Sequence, residues 1–223
     1  MPSITFAANG RTCDGYLAEP AAPGPGVIVL QEWWGLVDHI TGVADRFAAE
    51  GFVALAPDLY HGERTTSPDD AAKLFMALNI AEAAKDLRGA IAHLRAHPKL
   101  APGKVGVVGF CMGGQLALFA AQEHGDIVDA VVDFYGVHPK VTIAPARVRA
   151  PVLGHFGLRD KGVPPAVTHP LRDAIVAAGG RFELHEYDAG HAFFNDARPQ
   201  VYDAGAAALA WRRTIAFFRQ HLA

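Results

Sequence analysis

The chain has 223 residues, of which 51% are hydrophobic and 19% are charged, with a formal net charge of −3 at pH 7. This length suits one domain with a sizeable core, and the balanced charge argues against a nucleic-acid-binding surface. The first residues lack a basic stretch followed by an apolar one, and no apolar run is long enough for a bilayer. Neither a secretory signal nor a membrane association is therefore predicted.

Short apolar runs alternate along the chain with longer stretches of helical periodicity. The first run, 27–30, predicts a buried strand, and Asp38 is positioned to cap a helix that ends at Gly51. The later predicted elements are a strand at 52–56, one or two helices within 69–96, a strand at 105–108, a helix at 112–123, strands at 128–134 and 152–156, a helix near 171–178, a strand at 182–187 and a helix at 204–222.

This alternation predicts an α/β fold in which helices cover both faces of a mostly parallel sheet. We expect a single domain over residues 1–223, because neither a repeat nor a linker interrupts the pattern. Active sites of such sheets lie at the carboxyl ends of the strands, so a candidate residue should follow a strand. Residues 136–151 form only a short connection, which predicts an open site without a large lid domain.

The motif Gly109-Phe110-Cys111-Met112-Gly113-Gly114 joins the strand at 105–108 to the next helix. Its G-x-C-x-G pattern is that of a nucleophile elbow, a tight turn that presents its central side chain above the sheet, with cysteine in place of serine. Taken alone, the pattern also fits a buried free cysteine. A disulfide between Cys13 and Cys111 is conceivable, but the elbow favours a free thiol and a reducing, cytoplasmic compartment.

A catalytic thiol needs a base, because the thiolate is the nucleophile. His191 lies in the loop after the last predicted strand, where hydrolases of this type place their histidine. His61 and His138 also follow strands and remain weaker alternatives. His155 lies inside an apolar strand and is expected in the core or near the site.

The base in turn needs a carboxylate that orients its far ring nitrogen. Asp160 follows the strand at 152–156 and keeps the chain order nucleophile, acid, histidine, whereas Asp133 is the alternative. An oxyanion needs two donors, and the backbone N–H groups of Met112 and Trp33 are the candidates. Glu32, a carboxylate directly after a buried strand, is the remaining candidate for a catalytic role.

Together, these residues resemble the dienelactone hydrolase family of α/β-hydrolases. The resemblance rests on the ordered set Gln31-Glu32, Pro57-Asp58-Leu59-Tyr60, the elbow around Cys111, Tyr135-Gly136-Val137, Asp160 and Ala189-Gly190-His191. It implies a carboxymethylenebutenolidase-like enzyme that cleaves a lactone or small carboxylic ester through a Cys111–His191–Asp160 triad and an acyl-enzyme. It also implies that Glu32 contacts the resting thiol and takes part in its activation, and that neither a metal nor an organic cofactor is needed.

The chain departs from the family pattern where dienelactone-opening enzymes hold the substrate carboxylate with arginines. No arginine follows within 191–195, so we expect no strong preference for anionic substrates unless Arg64 or Arg198 substitutes. Trp34, Tyr135 and Phe193 are the candidate apolar substrate contacts. A thioesterase with the same triad and a non-catalytic ligand-binding scaffold are the alternative functions. The expected partner is a small-molecule substrate, and the sequence identifies no partner protein.

Overall fold

The computed structural model describes residues 3–8 and 10–223, and within them eight strands form one sheet. The strand order is β1-β2-β4-β3-β5-β6-β7-β8. The strands are β1 (Ser3–Ala8), β2 (Arg11–Ala18), β3 (Gly24–Leu30), β4 (Val53–Pro57), β5 (Leu100–Phe110), β6 (Ala130–Phe134), β7 (Val152–Gly157) and β8 (Phe182–Tyr187). The helices are α1 (Asp38–Ala49), α2 (Pro68–Ala77), α3 (Ile80–Arg95), α4 (Met112–Glu123), α5 (Pro165–Ala177) and α6 (Ala204–Leu222).

The sheet is parallel from β4 to β8, whereas β1 and β2 run antiparallel at one edge. The sequence analysis predicted the parallel strands but not this edge hairpin. Exposed and buried residues alternate in β1, and β2 begins with two exposed residues, so neither strand contains the continuous apolar run that marks a strand buried on both faces.

The helices lie on both faces of the sheet, as expected. A Cβ added at Gly26 of β3 would meet Leu94 of α3. Gly106 of β5 pairs with Val27, the residue that follows Gly26, and a Cβ added at Gly106 would meet Phe218 of α6. Because successive residues of a strand point to opposite faces, α3 and α6 lie on opposite sides. Phe47 of α1 packs against Phe218, so α1 accompanies α6, and α4 accompanies α3.

Two helices, α1 and α5, begin elsewhere than predicted, and the stretch 69–96, predicted as one or two helices, contains two. Val37 is the N-cap of α1, and Asp38 is its first helical residue, where a carboxylate still favours the positive end of the helix dipole. Residues 69–96 form two helices because Asn79 accepts hydrogen bonds from the first amides of α3. Helix α5 begins at Pro165, earlier than expected, and contains Pro170 in its second turn.

The carboxyl ends of β3, β5, β6, β7 and β8 meet at one edge of the sheet, and the loops that follow them carry the candidate site residues. The connection between β6 and β7 contains one short 3₁₀ turn, Pro145–Arg147, in agreement with the expected absence of a lid domain. Among the described residues, no helix is both long and apolar enough to cross a membrane.

Candidate active site

Cys111 forms the turn between β5 and α4 and has a left-handed backbone, with φ 54° and ψ −116°. The turn is tight, since a Cβ at Gly109 would lie 1.9 Å from the Gly113 carbonyl oxygen. Likewise, a Cβ at Gly113 would lie 2.6 Å from the carbonyl oxygens of Leu30 and Gln31. The two glycines therefore let α4 begin directly against the end of β3, and they direct the Cys111 side chain into a cavity above the sheet.

His191 and Asp160 meet at this cavity from the loops after β8 and β7. Nδ1 of His191 lies 2.6 Å from Oδ2 of Asp160. The second carboxylate oxygen, Oδ1, accepts hydrogen bonds from the amides of Gly162 and Val163 at 2.8 and 3.0 Å. The buried acid is thus fixed at both oxygens, and Nε2 of His191 is left for the Cys111 thiol, which lines the same cavity.

The electrostatics of this arrangement favour a charged imidazole. Burial alone would lower the pKa of His191, but the hydrogen bonds to Asp160 and Cys111 and the charges of both groups raise it to about 10. Burial likewise opposes ionisation of Asp160, yet the bonds from His191 and the two backbone amides hold the pKa of that carboxyl below its ordinary value. The arrangement can therefore hold a proton on the imidazole at neutral pH.

Two backbone amides lie beside the candidate nucleophile. Met112, the first residue of α4, follows Cys111 directly, and Trp33 lines the cavity from the loop after β3. In the part of the chain that the structure describes, neither amide donates a hydrogen bond to a protein acceptor. Both N–H groups remain the candidate donors to an oxyanion.

Glu32 lines the cavity together with Cys111, but its hydrogen bonds go elsewhere. Asn195 donates from Nδ2 to Oε2 of Glu32 at 2.6 Å, and the Tyr135 hydroxyl donates to Oε1 at 3.5 Å. Burial, followed by the charges of Glu32 and Cys111, raises the pKa of Tyr135 well above its ordinary value, so this hydroxyl keeps its proton. Asn195 is a site residue that the sequence analysis missed; its place four residues after His191 was the available signal.

The cavity has a volume of about 370 Å³, and its wall combines the aromatic side chains of Trp33, Trp34 and Phe75 with charged and small residues. Trp34 lines this cavity, as expected. Tyr135 and Phe193 are instead fully buried in the core and do not line it, so the expectation that they contact the substrate is wrong. Phe193 packs against Tyr135 beneath the site. The lining side chains not anticipated by the sequence analysis are Phe75, Val137, Lys161 and Ala192.

Arg198 also lines this cavity and stacks over the Trp34 ring, with its guanidinium carbon 4.6 Å from the ring centroid. Arg64 does not reach the catalytic cavity. It lines an adjoining cavity of about 700 Å³, to which Trp34 and Arg198 also contribute. Of the two arginines that could replace those of the family, Arg198 is therefore the one beside the candidate triad.

The alternative triad members lie apart from this geometry. Asp133 is fully buried beneath the elbow, against Gly114 and Gly136, and burial raises its pKa to about 7. His155 is a core residue whose ring nitrogens lie 2.8 Å from the Tyr187 hydroxyl and 3.0 Å from the Thr214 hydroxyl. The ring of His138 packs at a tilt against Phe75, and His61 pairs with Asp86 near the edge hairpin.

Comparison with known proteins agrees with this geometry. The model of the dienelactone hydrolase family matches residues 13–222. The chain belongs to the dienelactone hydrolase family. The protein named usf from Aquifex pyrophilus is 36% identical over 98% of both chains, and a protein of Aquifex aeolicus named "Putative carboxymethylenebutenolidase" is 32% identical over the same shares.

Solved structures of the family are also similar. A dienelactone hydrolase-like promiscuous phosphotriesterase from metagenomic libraries superposes with a TM-score of 0.88 at 25% identity, over 99% of this chain and 98% of that one. The expectations of an α/β-hydrolase fold and of an ester or lactone hydrolase of this family are thereby confirmed.

Proposed function

We propose that the chain hydrolyses a lactone or a small carboxylic ester by covalent catalysis, with Cys111 as nucleophile, His191 as acid and base, and Asp160 as the orienting carboxylate. The observation that carries the proposal is the convergence of these three side chains on one cavity, with Oδ2 of Asp160 2.6 Å from Nδ1 of His191. The low exposure of Asp160, 3%, supports a strong interaction with the imidazolium.

Acylation begins with the ion pair of a Cys111 thiolate and a His191 imidazolium. The sulfur attacks the carbonyl carbon, a C–S bond forms, and the carbonyl electron pair moves onto oxygen. In this proposal the backbone amides of Met112 and Trp33, which have no protein acceptor among the described residues, donate to that oxyanion. When the intermediate collapses, the C–O bond breaks, and the leaving oxygen takes the proton from Nε2 of His191.

Deacylation uses the same groups in the reverse sense. The neutral imidazole accepts a proton from water, and the resulting hydroxide attacks the thioester carbonyl. The C–S bond then breaks, the carboxylic acid leaves, and the ion pair between Cys111 and His191 returns. In the ring opening of a lactone, the acid and alcohol remain parts of one product. No step of this sequence requires a metal or an organic cofactor.

The substrate class follows from the cavity walls. The aromatic surface of Trp33, Trp34 and Phe75 favours a flat or apolar acyl group, and a volume of about 370 Å³ suits a small substrate. Arg198 and Lys161 on the same wall support a substrate that also carries a negative charge. We therefore propose that Arg198 replaces the carboxylate-binding arginine that is missing after His191.

We further propose that the chain acts as a single domain in the cytoplasm. All eight described strands belong to one sheet, and Cys13 and Cys111 are both free thiols, which supports a reducing compartment.

The experiment that tests the proposal compares the wild type with Cys111→Ala on a panel that contains a lactone, an aryl ester and a thioester. Loss of a covalent nucleophile should lower turnover at least about 1000-fold on the true substrate class. Cys13→Ala, which removes the other buried thiol, is the matched control and should retain activity. Near-normal turnover in a folded Cys111→Ala protein would contradict the proposal.

A further inference from the structure

A second group of potential ligands lies outside the catalytic cavity, where the edge hairpin meets α3. It consists of Cys13 on β2, His61 in the loop after β4 and Asp86 on α3, which we call the Cys13 cluster. One ligand atom from each of these residues, a sulfur, an imidazole nitrogen and a carboxylate oxygen, lies within 4.8 Å of the other two. Cys13 and Asp86 are buried, whereas the His61 side chain is 41% exposed.

The hydrogen bonds of the Cys13 cluster cannot all be satisfied at once. Nε2 of His61 lies 3.0 Å from Oδ2 of Asp86 and 3.3 Å from Nη2 of Arg11. If Nε2 carries a proton, this N–H donor faces the N–H donor of Arg11. If Nε2 carries a lone pair, this acceptor faces the carboxylate oxygen of Asp86, which is also an acceptor. Either tautomer of His61 therefore leaves one unfavourable close contact.

The surroundings of the thiol favour a cation in the same place. The buried Cys13 thiol lies near the carboxylates of Asp86, Asp58 and Asp14, whose negative charges attract a cation. The thiol itself donates to the backbone carbonyl oxygens of Asp14 and Asp58 at 3.4 and 3.6 Å. A divalent ion would satisfy sulfur, nitrogen and oxygen together, because all three then donate lone pairs to it.

We propose that the Cys13 cluster binds a thiophilic divalent cation of the zinc class, with ligands from Cys13, His61 and Asp86 and with water in the fourth position. Neighbouring ligand atoms of a tetrahedral zinc site are about 3.3–3.6 Å apart, so side-chain shifts of about 1 Å would close the site. The exposed imidazole gives the ion a path from solvent. None of the three residues lines the catalytic cavity, and the proposal does not depend on the proposed hydrolysis.

Binding of the divalent ion is balanced by release of the Cys13 thiol proton and movement of the Arg11 guanidinium. Before binding, the cluster holds the Asp86 carboxylate and the Arg11 guanidinium, and the thiol is neutral. On binding, the dication enters, the thiol proton leaves to solvent, and the S–metal bond forms. Arg11 then turns towards Glu82, with which it already forms an ion pair at 3.3 Å, and its side chain, 40% exposed, has room to move. The summed charge of Asp86, Arg11 and the neutral thiol before binding, and of Asp86, the thiolate and the dication afterwards, is zero in both states.

The test uses Co²⁺ as a spectroscopic probe in the Cys111→Ala protein, so that Cys13 is the one remaining thiol. We expect a thiolate-to-cobalt charge-transfer band, visible transitions of tetrahedral strength, and release of about one proton per ion bound. Zn²⁺ should displace Co²⁺ and raise the melting temperature, since the ion would join β2, α3 and the loop after β4. Failure to see the charge-transfer band would overturn the proposal.

Three variants in the same background sharpen the result. Cys13→Ser should abolish the charge-transfer band, and His61→Gln should weaken Co²⁺ binding more than about 100-fold, because loss of even an outer-sphere partner costs 10–100-fold. Arg11→Gln removes the competing cation and should instead strengthen binding. His61 is exposed, so its variant keeps the test valid if Cys13→Ser does not fold. A band that persists in folded Cys13→Ser, or unchanged affinity in folded His61→Gln, would refute the assignment.

Discussion

Replacement of Asp160 by asparagine tests the proposed acid–base pair at a single atom. The Oδ1 atom of the new amide can keep both backbone hydrogen bonds, from Gly162 and Val163, so the fold should remain intact. The amide nitrogen then faces Nδ1 of His191, where Asp160 now accepts. Because an amide NH₂ donates and cannot accept, Nδ1 must carry the lone pair, and the imidazole proton moves to Nε2. In that tautomer, His191 cannot accept the thiol proton of Cys111.

The size of the effect follows from the electrostatics of His191. The hydrogen bond to Asp160 is the first of the interactions that raise its pKa from 6.5 to about 10. Losing half or all of this rise lowers the population of the ion pair by about 60- to 3000-fold, since each pKa unit is a factor of ten. We therefore expect kcat/KM of Asp160→Asn to fall by about 10²–10³, with a similar slowing of iodoacetamide labelling at Cys111.

The assay is aryl ester hydrolysis at neutral pH, with thermal unfolding to verify the fold. Asp133→Asn is the matched control, because it makes the same change from carboxylate to amide at another buried aspartate. This aspartate lies beneath the elbow, against Gly114. Its kcat/KM should remain near that of the wild type. Wild-type kcat/KM in Asp160→Asn, or a larger loss in Asp133→Asn, would refute the reasoning and transfer the acid to β6.

Three further predictions concern the surroundings of the triad. Burial raises the pKa of Asp133 in the folded state to about 7, so this carboxyl ionises at a lower pH in the unfolded chain than in the folded one. The free energy of unfolding should therefore fall as pH rises from about 4 to about 7. Urea unfolding of Asp133→Asn should not show this fall. Arg198→Gln should lower kcat/KM about tenfold for esters with a free carboxylate but not for neutral esters. Arg64→Gln, which changes an arginine outside the catalytic cavity, is the control. An equal loss on both kinds of ester in Arg198→Gln would exclude recognition of the substrate charge. Asn195→Ala releases Glu32 to approach the thiol and should slow iodoacetamide labelling of Cys111; unchanged labelling and turnover would show that this contact has no role in reactivity.

The parts of the fold that the sequence predicted are those with strong local signals. Apolar runs such as 27–30 are buried on both faces, and the helices predicted at 112–123 and 204–222 have these bounds in the structure. The hairpin of β1 and β2 was not predicted, since its pairing with β4 depends on residues more than 35 positions away and leaves no continuous apolar run. Local patterns therefore identify the central strands better than the edge of the sheet.

The candidate triad could also be predicted, because each member follows a strand and the loops meet at one edge of the sheet. The fate of Tyr135 and Phe193 could not, since an aromatic side chain after a strand can point either to the cavity or into the core. Both lie in the core here, whereas Phe75 reaches the cavity from α2, which is distant in sequence. The contact between Asn195 and Glu32 spans 163 positions and likewise depends on tertiary packing.

The most direct test of the account is to trap the acyl-enzyme. The wild-type protein is mixed with an activated ester that deacylates slowly, quenched in acid within milliseconds and measured by intact-protein and peptide mass spectrometry. The account predicts one added acyl mass as a thioester on the peptide that contains Cys111, its decay at the rate of turnover, and its absence from Cys111→Ala. An acyl group on another residue, or full ester turnover without any covalent adduct on Cys111, would contradict the claim that this thiol is the nucleophile.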